Sequence, residues 1–283
     1  LEIVEKAPAK INLTLNVLNK RPDGFHEMRM VMTSVDLSDH LTFNERNDQQ
    51  ITLTSNAAFI PLNRKNIVYQ AVHLLKERYE IQKGVDINID KQIPVAAGLG
   101  GGSSDAAATL RGLNRLWELG LTLEELALIG EQLGSDVPFC IYNKTAYATG
   151  RGEVIKLIHE IPQCWVILVK PPKGISSWTV FEELDLASLP HYNHDKMIEA
   201  INENNYEEMI RYAGNALEEI SGKYRPDIKM IKGKMEKFGA DVAIMSGTGP
   251  TVYGLTQKYS KAQRIVNGLK GFCREVYLVR TLK

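Results

Sequence analysis

Four glycines and two serines crowd the stretch Gly98-Leu99-Gly100-Gly101-Gly102-Ser103-Ser104-Asp105, directly ahead of an apolar periodic segment. Glycine lets a backbone come close to a ligand, and the first turn of a helix leaves its N–H groups without intrahelical acceptors. Aligned peptide dipoles add partial positive charge at the same end, so the natural occupant is an anion, above all a triphosphate. The hydroxyls of Ser103 and Ser104 can donate to phosphate oxygens. No G-x-x-x-x-G-K-[ST] occurs in the loop, and Ser103 stands where a dinucleotide fingerprint begun at Gly98 needs its last glycine. Taken alone, such a run also serves a tight turn and close helix packing, with Ser or Asp as a helix cap.

Other polar residues are less informative singly. Lys10, in Pro8-Ala9-Lys10-Ile11-Asn12-Leu13, reads as a solvated strand lysine, and Asp136, before Val137-Pro138, as a turn or cap residue. His191 and His194 lie three apart, but no H-E-x-x-H and no third nearby ligand accompanies them, so no metal ligand is assigned.

The elements that must position these residues can be read from periodicity. Ile11, Leu13, Leu15 and Val17 alternate in a strand reaching from Ile3 to Leu18, which a turn at Arg21-Pro22-Asp23-Gly24 follows. Further strand-like runs are Met30 to Val35, His40 to Phe43, Gln50 to Ser55 and Val85 to Ile89. Apolar residues at three- and four-residue spacing predict helices from Asn66 to Tyr79 and from Ala106 to Trp117. Thr122 with Glu125 forms a capping box for a helix reaching about Leu133. Beyond Gly150-Arg151-Gly152 the pattern becomes strand (Trp165 to Val169), several helices between Trp178 and Phe238, strands at Val242 to Met245 and Val252 to Leu255, a helix near Gln263 and a strand at Val276 to Val279. This is a second α+β unit.

A chain of 283 residues has the length of about two domains. Lys plus Arg and Asp plus Glu both number 34, so no basic field is available to hold a polyanion, and no nucleic acid partner is expected. Cys140, Cys164 and Cys273 lie far apart, which speaks against a zinc cage or a disulfide framework and for a reducing cytoplasm. No run approaches the roughly 18 apolar residues of a membrane span, and the first dozen residues carry Glu2, Glu5, Lys6 and Lys10, so a soluble, unexported protein with no membrane partner is expected.

Taken together, three separated segments resemble the GHMP kinase family, named for galactose, homoserine, mevalonate and phosphomevalonate kinases. Pro8 to Leu13 resembles its first motif, Pro94 to Ala107 its phosphate loop, and Met245-Ser246-Gly247-Thr248-Gly249-Pro250-Thr251-Val252-Tyr253-Gly254 its third, in family order. Arg21 to Glu27, the triple glycine at 100–102 and Leu133 to Phe139 resemble the branch acting on a cytidine diphosphate-linked methylerythritol, along essentially the whole chain. The resemblance implies an α+β, two-domain fold. A domain like ribosomal protein S5 domain 2 would span residues 1–155 and a ferredoxin-like domain 156–283, with ATP and substrate meeting between them.

It also implies roles. Asp136 is the general base, and Lys10 beside it keeps the carboxylate ionised and stabilises charge on the transferring group. Pro94, Val95, Ala96, Ala97, Gly98, Leu99, Gly100, Gly101, Gly102, Ser103 and Ser104 hold the nucleotide, with Asn66 and Lys91 on its adenosine side. Asn12 holds the reacting end of the substrate, Phe25 stacks on the cytosine, His26 reads the base edge, and Phe181 supplies a second aromatic face. Thr248 and Gly249 face substrate or phosphates. The implied activity is ATP-dependent phosphorylation of the 2-hydroxyl of that small molecule, with Mg2+ supplied on the nucleotide and the oligomeric state open. Two alternatives stay open: a kinase for a mevalonate- or sugar-type alcohol, and a non-catalytic nucleotide or metabolite sensor.

Overall fold

The computed structural model describes residues 2–282. Two long strands come first, β1 (Glu2–Lys20) and β2 (His26–Arg46), followed by β3 (Ile51–Ser55), α1 (Ile67–Arg78), β4 (Gly84–Asp90), α2 (Gly101–Leu116), α3 (Leu123–Glu131) and α4 (Val137–Tyr142). Strands β5 (Ala146–Thr149), β6 (Val154–Leu157) and β7 (Trp165–Lys170) lead to α5 (Ser177–Glu182), a 3-10 turn (Leu186–Ser188), α6 (His194–Asn202) and α7 (Tyr206–Tyr212). Then come β8 (Gly214–Asn215), α8 (Glu218–Tyr224), α9 (Asp227–Phe238), β9 (Val242–Met245), β10 (Val252–Thr256), α10 (Tyr259–Lys270) and β11 (Glu275–Arg280).

The chain forms two compact units that interleave in sequence. The first takes the chain up to Ala9, then Leu37–Ile93 and Gly100–Asn143; the second takes Lys10–Asp36, Pro94–Leu99 and everything from Lys144.

In the first unit β4 is the middle strand, antiparallel to the end of β2 (His40↔Asp90 to Arg46↔Gly84) and parallel to β3 (Ile51↔Val85 to Ser55↔Ile89). Helix α1 is the crossover that the parallel β3–β4 pair requires. Its buried stripe is Val68, Ala71, Val72 and Leu75, and Asn66 caps it by accepting from the Val68 N–H. Helix α2 is buried along most of its length, and Gly112 is what lets it lie on β2: a Cβ there would stand 2.6 Å from the Phe43 ring. The Thr122–Glu125 capping box opens α3 with both of its bonds present.

The second unit contains a four-stranded antiparallel sheet in the order β11-β7-β10-β9, with α9 and α10 against it. Numbered by their own succession these strands run 4-1-3-2, and β10, α10 and β11 close a ferredoxin-like pattern. In the same unit β1 pairs with the first half of β2 and, in parallel, with β8 at Thr14↔Gly214; β5 joins β2, and β6 joins β5.

The runs Met30 to Val35 and His40 to Phe43, expected as separate strands, belong to one strand of 21 residues. The polar residues Asp36, Ser38 and Asp39 do not interrupt it, because Asp39 is buried and satisfied by Lys91 and by the N–H groups of Gln92 and Ile93. β5, β6 and β8 were not anticipated; at two to four residues they are too short for alternation to register. Among the described residues no helix is long and apolar enough to cross a membrane.

Candidate active site

In the second unit the first motif, the start of the phosphate loop and the third motif pack on one another. Lys10 and Asn12 are two apart on β1, hence on one face, and the buried Lys10 ammonium donates to Asn12 Oδ1 at 2.8 Å. The Lys10 backbone N–H donates to the Leu99 carbonyl at 3.0 Å, and the Ala97 carbonyl accepts from the Thr251 N–H at 3.2 Å. Ser246 Oγ donates to the Gly98 carbonyl at 2.9 Å. Gly98 has φ +77°, and a Cβ on it would overlap the Ser246 carbonyl oxygen, so sterics and backbone conformation both require glycine. A Cβ on Gly247 would sit 3.4 Å from the Lys10 ammonium. Gly247 of the third motif thus lies against the Lys10 ammonium.

Side chains inside and outside the motifs hold this arrangement. Tyr253 is fully buried, and its hydroxyl donates to the Asn12 carbonyl at 2.8 Å, while Asn215 Nδ2 donates to the carbonyls of Met245 and Gly247. Ser221 Oγ donates to the Thr248 carbonyl, and the Ser177 and Thr248 hydroxyls are hydrogen-bonded at 2.8 Å. The Gly249–Pro250 peptide is cis. Pro94 is buried, whereas Val95 and Ala96 are exposed on the loop.

Two of the expected recognition residues of this unit are also together. His26 and Phe181 stack with ring centroids 5.3 Å apart and planes 21° off parallel. Phe25 is half exposed, and the Arg151 guanidinium lies over its ring at 5.0 Å. Exposed and stacked rings of this kind suit the face of a flat base. Burial, and then the Lys20 charge, hold the His26 imidazolium below the usual histidine range, so at neutral pH His26 offers one donor and one acceptor.

In the first unit Gly100, at φ +69°, is the N-cap of α2; the expected Ser or Asp cap is absent, because glycine reaches the left-handed conformation that starts this helix. A Cβ on Gly102 would meet nothing nearer than Ile67 Cγ2 at 4.0 Å, so the helix end is open there. The Ser104 hydroxyl turns inward and donates to the Pro8 carbonyl at 2.7 Å. A Cβ on Gly134 would lie 4.0 Å from Ser103 Oγ, which places the turn carrying Asp136 beside the phosphate helix. Asp136 occupies the N-cap position of α4, but its side chain makes no capping bond. Asn66 is committed through both amide atoms, to Val68 N–H and to the Pro61 carbonyl. Lys91 is paired with Asp39 and Asp105.

A family model described as GHMP kinases N terminal domain matches residues 66–144, and one described as GHMP kinases C terminal matches residues 197–275. The chain belongs to the GHMP kinase family. It is 55% identical over 282 residues to a 4-diphosphocytidyl-2-C-methyl-D-erythritol kinase of Bacillus pumilus, covering 100% of this chain and 98% of that one. It is 54% identical over 283 residues to the Enterococcus faecalis protein of the same name, covering 100% of both. A crystal structure of a 4-(cytidine 5'-diphospho)-2C-methyl-D-erythritol kinase superposes with a TM-score of 0.84 at 28% identity, covering 99% of this chain and 100% of that one.

For this GHMP kinase, sequence reasoning passed over Asp39, Tyr253, Asn215 and Ser246 as parts of the site. Only Tyr253 and Ser246 carried a signal, by standing inside the third motif. Asp39 and Asn215 look like surface polar residues until the fold buries them.

Proposed function

We propose that this GHMP kinase phosphorylates the 2-hydroxyl of 4-diphosphocytidyl-2-C-methyl-D-erythritol, giving the 2-phosphate and ADP in the non-mevalonate route to isoprenoid precursors. The observation that carries the reading is the packing of three motifs around Lys10: its N–H on the Leu99 carbonyl, Ser246 on Gly98, and Gly247 against its ammonium. The full-length relatives of that name support the substrate.

ATP supplies the phosphoryl group; the chain's own residues orient the alcohol and manage its proton. The Asp136 carboxylate takes the hydroxyl proton as the oxygen–phosphorus bond forms and the bond from the γ-phosphorus to the β–γ bridging oxygen breaks. The Lys10 ammonium stabilises charge on the phosphoryl oxygens, and Asn12 fixes that ammonium in direction. Phe25 and Phe181 hold the cytosine, His26 reads its edge, and Thr248 and Gly249 line the reacting end. The N–H groups of Gly101, Gly102 and Ser103, at the start of a 16-residue helix, receive the phosphates, and Asn66 and Lys91 border the adenosine side.

Mg2+ belongs to the same proposal as a passenger of the nucleotide. Among the described residues no group of three or more His, Cys, Asp or Glu side chains converges to hold a metal, and phosphate oxygens are the hard ligands magnesium prefers. A domain border near 155 falls between the two matched segments. Three buried free thiols fit a reducing cytoplasm, and the balanced charge fits a small-molecule partner instead of nucleic acid.

The test is direct. Purified protein, ATP and the cytidine-linked alcohol should release ADP and yield a new phosphomonoester signal by phosphorus NMR. Turnover on mevalonate with none on the cytidine-linked alcohol would assign the chain to another branch of the family, and ATP binding without turnover on either would make it a sensor.

A further inference from the structure

Three ionisable side chains from three elements meet behind the glycines of the phosphate loop, inside the first unit. Asp39 of β2 is fully buried, and the side chains of Lys91, just after β4, and Asp105, in α2, are each 6% exposed. The Lys91 ammonium pairs with Asp39 Oδ2 and, at 2.7 Å, with Asp105 Oδ2. Asp39 Oδ1 accepts the N–H groups of Gln92 and Ile93, whereas Asp105 Oδ1 is buried without a hydrogen-bond partner. A Cβ on Gly101 would stand 3.5 Å from the Lys91 ammonium, so the group lies directly under the helix end.

With both carboxylates ionised, these three side chains sum to one negative charge, and an uncompensated charge away from water is costly. A proton on one carboxyl removes it. Asp105, with its unpartnered oxygen, is the one that lacks the hydrogen bonds an ionised carboxylate needs. Burial raises its carboxyl to about 8; the nearby Lys91 opposes that shift and Asp39 adds to it. Of the other elements at this helix end, α1 turns Val68, Ala71, Val72 and Leu75 inward, β1 presents the Pro8 carbonyl, and the turn before α4 brings the Asp136 segment up to Ser103. Glu5 of β1 is engaged farther along α2 with Arg111 and Arg115.

We propose that the proton on Asp105 sets the nucleotide affinity of the phosphate loop. With the proton in place the Asp39–Lys91–Asp105 group is neutral and the helix end keeps its attraction for triphosphate; once the proton is lost, one negative charge behind the loop opposes the anion. Asp39 and Asp105 are then positioning residues that act through Lys91. The inference rests on the reading of this loop as the ATP site.

Calorimetric titration of ATP with magnesium between pH 7.5 and 9.5 tests it. Phosphate's own second ionisation, near 6, is complete across that range. The wild-type dissociation constant should rise roughly fivefold or more as pH increases, the size of one charge acting across partly hydrated protein. Asp105→Asn mimics the protonated acid and should bind at every pH as the wild type does at 7.5. Asp39→Asn leaves a neutral Lys91–Asp105 pair and should also lose the alkaline rise. A flat wild-type profile, or the same rise in both variants, overturns the proposal, as does a uniform weakening in the variants with no change in slope. Should either variant fail to fold, the wild-type profile and the other variant still decide. Absence of ATP binding at any pH would overturn the nucleotide reading along with it, whereas pH-independent binding overturns this inference alone.

Discussion

Lys10 is a buried cation on a strand, and a buried cation persists only when polar groups meet it. Asn12 supplies one such group, and Gly247 of the third motif lies against the ammonium. Asp136 ends up beside the phosphate helix because the turn at Gly134 lies against Ser103. Replacing Lys10 by Ala or Asp136 by Asn should each lower turnover by roughly 10²-fold or more while ATP still binds, the range expected for lost electrostatic or acid–base help. Steady-state rates with nucleotide binding measured in parallel check this, and unchanged rates in both variants would remove the pair from the reaction. His26 has a different task. Its depressed pKa keeps the imidazole neutral through physiological pH, so the Michaelis constant for the cytidine-linked alcohol should be flat from pH 7 to 8 and rise only when the solution falls below the ordinary histidine range. His26→Ala should raise that constant more than it lowers turnover. An unaltered constant would take His26 out of recognition.

At the level of elements, the phosphate loop separates two uses of glycine. Gly98 combines a left-handed φ with close approach to the third motif, so Gly98→Ala should lower both melting temperature and activity. Gly102 is helical and faces open space, where alanine is the better helix former by about 1 kcal/mol. Gly102→Ala should therefore keep or raise the melting temperature while raising the Michaelis constant for ATP, because the added methyl stands where the helix N–H groups receive phosphate. Thermal unfolding together with ATP kinetics distinguishes the two variants, and an unchanged constant in Gly102→Ala would move the triphosphate elsewhere. The sequence already marked this element, since glycines before an apolar stripe predict a helix start. What it missed was which residue caps it. The Ser and Asp that local chemistry favours are drawn inward by Pro8 and Lys91, and the left-handed cap falls to Gly100.

For the whole molecule, Asp105 has a consequence for stability. Its carboxyl is raised from 3.8 to about 8 in the folded chain, so the folded state binds more protons than the unfolded state between those values. Its contribution to stability is fully present below the unfolded value, declines as pH rises, and is lost above about 8. Asp105→Asn should flatten that decline in denaturant melts from pH 5 to 9; an identical slope in wild type and variant would show that Asp105 is ionised throughout. The helical stripes of α1 and α2, the Thr122 capping box, the strands of the ferredoxin-like sheet and the family motifs were legible along the chain, because periodicity, capping and turn chemistry act between near neighbours. Tertiary structure alone decided the continuity of β2 through Asp39, the pairing of Lys91 with two carboxylates and the closure of the third motif on Lys10. Those outcomes depend on partners about 14 to 240 residues apart in the chain, where burial changes what a charge or a hydroxyl must find.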